Sequence, residues 1–180
     1  MKTNLQDIIH FWFKKYGPKQ WFAKDEEFDE EIREKFLDTY EAATCGETAM
    51  WRDTAEGRLA EIIVLDQFGR NMFRGTDQAF ADDAQALKLA QDAVSHGADQ
   101  EVNQRKRKFF YMPYMHSESL AVHKEGLPLF EALEDEETLR YEKEHQRIIE
   151  QFGRYPHRNA VLGRESTEDE REFLKERSGF

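Results

Sequence analysis

The 180-residue sequence predicts an all-α fold, a single-domain antiparallel helical array of about seven to eight helices over residues 1–180. Apolar residues recur at helical spacing, and no convincing period-two alternation competes with it. Glycines follow the apolar segments one after another, at Gly17, Gly46, Gly69, Gly97, Gly126 and Gly153, where a helix stop is expected. No Asn-Gly or Asp-Gly hairpin turn is written anywhere.

Each element follows from local chemistry. The aromatic groups Phe11-Trp12-Phe13, Trp21-Phe22 and Trp51 are expected to form an N-terminal core rather than a peptide groove. Asp25 is a candidate N-cap for a helix whose Phe28, Ile32, Phe36 and Tyr40 recur every four residues. A segment starting at Thr54 carries Leu59, Ile62, Ile63, Val64 and Leu65 so densely that it should be the central helix. Gly57 within it is read as a point of close packing. Thr76 then caps a helix with Phe80, Ala84, Leu87 and Val94 on one face. Pro113 should break or kink the run FFYMPYMHSESL before a second helical run. The last long helix shows Tyr141, His145, Ile148 and Phe152 on one stripe, and Thr167-x-x-Glu170 is a capping box for a short final one.

Composition narrows the function. A net charge of −11 argues against nucleic acid and anionic membranes as partners, because both are bound chiefly through a basic surface. The run Arg105–Lys108 is expected to be a solvated helix face. Cys45 is the single cysteine, so neither an intrachain disulfide nor a multi-thiolate metal site can form; it is read as structural. No signal peptide and no apolar run of about 20 residues is seen, so a soluble cytoplasmic protein is expected. Oligomeric state leaves no signature.

One motif stands out. DQFGRNMFR and EQFGRYPHR repeat QFGR-x-x-x-R with Gln67 and Gln151 84 residues apart, each after a pair of isoleucines. Asp66 and Glu150 would lie in the last helical turn, where a carboxylate is disfavoured, so the motif arginines Arg70, Arg74, Arg154 and Arg158 should offset them. The two copies are therefore expected to lie close together. An internal arginine–acid network is weighted ahead of the alternative, a positive pocket of these arginines with Asn71, His157, Asn159 and Arg164 that captures a carboxylate or phosphate.

His116, Glu118 and Tyr111 cluster at the proline break and are the candidate acid–base residues, with Glu118 orienting His116. A polar-core role for His116 is preferred, since no independent catalytic signature accompanies it. His-x-Glu lacks the Pro-Cys-x-x-Cys of a zinc deaminase, and no glycine-rich phosphate loop occurs. No metal and no cofactor is expected.

The stretches WFAKDEEFDEEIREKF, WRDTAEGRLAEIIVLDQFGRNMFRGTDQAFADDAQAL, FFYMPYMHSES and QFGRYPHRNAVLGRESTEDEREFL together resemble the uncharacterised bacterial domain-of-unknown-function family nine hundred and twenty-four. The resemblance covers nearly the whole chain and implies an all-helical fold of tetratricopeptide-repeat-like type. It carries over no catalytic residue, and the 34-residue repeat signature is not visible. Two functions follow as expectations: a binding module for an anionic small molecule or peptide carboxylate, or a small cofactor-free enzyme using His116 and Glu118. A third reading makes the same residues a polar core.

Overall fold

A computed structural model describes residues 4–176, so the first three and last four residues of the expected unit lie outside the described residues. Among the described residues there is no strand. The α-helices are α1 Leu5–His10, α2 Pro18–Trp21, α3 Glu26–Thr44, α4 Ala55–Ile63, α5 Gly69–Met72, α6 Asp83–Ser95, α7 Gln104–Met115, α8 Leu120–Ala132, α9 Glu136–Phe152 and α10 Glu168–Glu176. Two π-helical turns complete them: Phe11–Lys15 extends α1, and Val64–Phe68 joins α4 to α5 in one rod. Gly69 therefore does not stop a helix. Its backbone is helical (φ −54°, ψ −47°), and it is buried against the Tyr40 ring. Gly126 likewise lies inside α8, where its missing side chain admits Tyr114 of α7.

Caps set the helix starts. Asp25 Oδ1 accepts the N–H groups of Glu27 and Phe28 at 3.1 Å each, and Thr54 Oγ1 accepts that of Gly57 at 3.1 Å. The Thr167–Glu170 capping box forms, with bonds of 2.7 and 3.2 Å. Thr76 does not cap α6. Its hydroxyl donates back to the Phe73 carbonyl, and a 3₁₀ turn, Asp77–Phe80, precedes the helix.

The rod begun by α4 is the centre: α1, α6 and α7 pack on α4, while α3 lies on the π turn and α5. Leu59, Ile62, Ile63, Val64, Leu65 and Phe68 are all buried there. Each such side chain contributes roughly 1.5–3 kcal/mol relative to exposure. Phe11, Trp12, Phe13 and Trp21 join this core, with Trp12 edge-on to Phe68 at 5.6 Å, but Phe22 is 60% exposed. Gly57 meets the Trp51 carbonyl so closely that a Cβ would lie 1.9 Å from the oxygen.

Four expectations need correction. The buried face of α6 is Ala86, Ala90 and Ala93, small residues that let helices approach, while Ala84 is exposed. On α9, Tyr141 is exposed and its neighbour Glu142 is buried instead, because Glu142 has a histidine partner in α8. Cys45 is exposed at the end of α3. The basic run is not simply solvated: Arg105 and Lys108 lie over the Trp21 ring at 5.0 and 5.7 Å, Lys106 pairs with Glu56, and Arg107 donates to the Asp99 carbonyl. Among the described residues no helix is long and apolar enough to cross a membrane.

Candidate functional site

The π turn places a carboxylate in the middle of the most apolar rod. Such a turn adds one residue to the helical cycle and shifts the side chains that follow. Asp66, only 1% exposed, accepts three charge-relevant bonds: from Gln67 Nε2 at 2.6 Å, Arg70 Nη1 at 2.9 Å and His116 Nδ1 at 2.6 Å. Burial opposes its ionisation, but His116 and Arg70 outweigh that cost and hold the carboxyl at about 2. Burial, followed by repulsion from Arg70, pushes His116 below the ordinary imidazole value. That direction favours the neutral ring, whose proton on Nδ1 toward Asp66 leaves the lone pair on Nε2. Among the described residues Nε2 has no hydrogen-bond partner, and the side chain is 17% exposed.

Asp83 joins the two copies of the motif. Its Oδ2 accepts from Arg70 Nη2 and from Arg158 Nη1, each at 3.0 Å. The Phe80 ring is shared by the same guanidinium groups, Arg70 at 5.7 Å and Arg158 at 4.4 Å. Arg158 also stacks on Tyr155 at 4.7 Å and donates from Nη2 to the His116 carbonyl at 2.8 Å.

The remaining arginines go elsewhere. Arg74 grips Asp29 of α3 with two bonds of 2.6 and 2.9 Å, and Asn71 donates to the same carboxylate. Arg154 holds Glu170 in the same two-pronged way, at 2.7 and 2.9 Å. Arg164 does so with Glu118, whose Oε1 also accepts the Tyr155 N–H, and Asn159 ties Arg164 to Glu170. Glu118 is thus bound to the second copy, and Asp66 is the carboxylate on His116. Tyr111 is buried on Asp99. His157 is half-buried, its pKa lowered to about 4 by burial and then by Arg158.

Beneath His116 lies a group that sequence reasoning missed. His123 and Glu142 are both 0% exposed, with Nδ1 and Oε1 2.7 Å apart. An acid on the buried side of α9 was the available signal. The copies of QFGR-x-x-x-R share letters but not backbone: Gly153 ends α9 in the left-handed region at φ 70°, whereas Gly69 continues a rod. The first copy supplies Asp66 and Arg70 from inside a helix; the second supplies Tyr155 and Arg158 from a loop.

An all-helical protein with a buried aspartate–histidine–arginine cluster is the class these features define. The chain belongs to the family described as "Bacterial protein of unknown function (DUF924)", whose model matches residues 8–178. It is similar to a solved structure, "Protein of Unknown Function ATU0120" from Agrobacterium tumefaciens. The two are 42% identical over 96% of this chain and 97% of that one, with a TM-score of 0.92. No curated protein matches.

Proposed function

We propose that the protein is a cytoplasmic, cofactor-free binder of a small anionic molecule, with His116 as proton acceptor for a donor group on that ligand. One observation carries the reading: Nδ1 of His116 is fixed on buried Asp66 while Nε2 has no partner among the described residues and the ring is partly exposed. A carboxylate that fixes the tautomer and a free second nitrogen are what general-base work requires. Arg70, held on the same Asp66 oxygen, brings positive charge to the same place. Whether proton acceptance leads on to catalysis depends on the ligand's own chemistry. A second reading, an anion module of the motif arginines alone, draws support from Arg158, whose buried Nε has no partner among the described residues. It must contend with the carboxylates that already occupy all four arginines.

The test is an NMR titration of ¹⁵N-histidine-labelled protein with glycolate, acetate and ethylene glycol. Glycolate, which joins an anion to a hydroxyl, should shift the His116 Nε2 resonance more than acetate, and His116→Gln should remove its binding. Equal response to acetate and glycolate, unaffected by His116→Gln, would favour the anion module. No response to any of the three rejects both.

A further inference from the structure

Three successive carbonyls at the end of α7 are held by side chains from outside it. Tyr155 donates its hydroxyl to Met115 O at 2.5 Å, Arg158 donates Nη2 to His116 O at 2.8 Å, and His123 Nε2 meets Ser117 O at 2.8 Å. Terminal helix carbonyls lack intrahelical donors. Water or a capping glycine usually supplies that need, whereas here two members of the second motif and one residue of α8 do so. The carbonyls belong to the residue before His116, His116 itself and the residue after. We infer that Tyr155, Arg158 and the His123–Glu142 pair are positioning residues that set the His116 ring against Asp66.

The proton inventory supports a defined state for the pair. A carbonyl oxygen only accepts, so His123 Nε2 must carry hydrogen toward Ser117 O. Tyr155 agrees: its proton goes to Met115 O, leaving its oxygen to accept from the same Nε2 at 3.1 Å. The 2.7 Å contact between His123 Nδ1 and Glu142 Oε1 then contains one proton shared between ring and carboxyl. The pair carries no net charge, as a fully buried site favours. Burial also raises the Glu142 pKa. Facing the pair are the Ser117 carbonyl from the turn after α7 and the Tyr155 hydroxyl from the second motif, which in turn holds the Met115 carbonyl. His145 of α9, His157 and Arg158 lie around Tyr155 at 5.6, 5.6 and 4.7 Å.

This inference rests on His116 being the working group, but its test needs no ligand and stands apart from the titration above. Ligand-free ¹⁵N-histidine spectra of the whole chain report the tautomer of His116 directly. The wild type should show the Nδ1–H form alone, the less common one for a free imidazole. Tyr155→Phe keeps the ring and removes the bonds to Met115 O and His123 Nε2; His123→Phe keeps a ring and removes the donor to Ser117 O and the partner of Glu142. In both, the second tautomer should appear and the apparent pKa of His116 should move up toward that of free imidazole. Glu142→Gln should retain the wild-type pattern, because its amide can donate to Nδ1 of a neutral His123. If His123→Phe does not fold, Tyr155→Phe decides. A folded Tyr155→Phe with an unchanged His116 tautomer and pKa, whatever its Tm, overturns the inference.

Discussion

Replacing Asp66 with Asn tests the centre of the argument. The carboxyl is 1% exposed and lies at about 2, against 3.8 for an unperturbed aspartate. That difference corresponds to about 2 kcal/mol of preference for the charged form in the folded protein. The amide keeps the shape but loses the charge opposite Arg70, and half of its polar end now donates. Asp66→Asn should therefore destabilise by about 2 kcal/mol at pH 7, read as a lower midpoint in urea unfolding followed by circular dichroism. Tm should fall by roughly 4–8 °C for a chain of this size. The sign with pH is equally definite. A carboxyl whose folded pKa is depressed contributes stability above its unfolded value, and that stability disappears as pH falls through 3.8 toward 2. Wild type and variant should thus converge in stability at the acid end. A double-mutant cycle with His116→Gln should show coupling of about 1 kcal/mol or more. A change below about 0.5 kcal/mol at pH 7, or an unchanged gap at low pH, would refute the claim that Asp66 is a paired buried anion.

Other expectations follow from the same geometry. His145 and His157 are lowered to about 3 and about 4, chiefly by burial, so the unfolded chain binds more protons below about 6.5. Their contribution is complete above that pH and is lost as pH falls; a urea midpoint that stays flat from pH 7 to 4 would contradict this. Gly57→Ala should destabilise strongly, because the added Cβ would lie 1.9 Å from the Trp51 oxygen; a wild-type Tm would disprove that close approach. Gly153→Ala should cost about 1 kcal/mol from its left-handed backbone, measurable by thermal unfolding, and no loss would argue against the φ of 70°. Cys45, exposed, should react with a maleimide in the folded protein without a change in Tm.

Helix content was legible because it rests on local rules. Asp25, Thr54 and Thr167 cap where their side chains permit, and the Phe28-Ile32-Phe36-Tyr40 stripe is buried throughout. Gly69 was misread for a reason tied to packing: glycine ends helices when it can turn left-handed, but it also serves where a neighbouring ring comes close, and only Tyr40 distinguishes the two. The π turn has no sequence signature at all, although Asp66 inside an apolar run was a sign of something unusual there. Pairing Asp66 with Arg70 could be read from a spacing of four residues. Its bond to His116, 50 residues away, could not, because nothing local specifies which distant carboxylate meets a ring. Glu118 looked like the natural partner of His116 by proximity in sequence, yet its carboxylate points to Arg164 and the Tyr155 N–H.

The three anchored carbonyls also impose an order of assembly. Tyr155 and Arg158 reach Met115 and His116 across 40 and 42 residues, and Arg158 reaches Asp83 across 75. Contacts of such sequence separation close late, after the shorter-range helix pairs have formed. A ribosome releases the rod bearing Asp66 and then the helix bearing His116 well before it delivers the loop that holds them in place. The cluster is therefore completed only after Tyr155 and Arg158 have followed α7 out of the ribosome, so the imidazole reaches its final setting later than the helix that carries it.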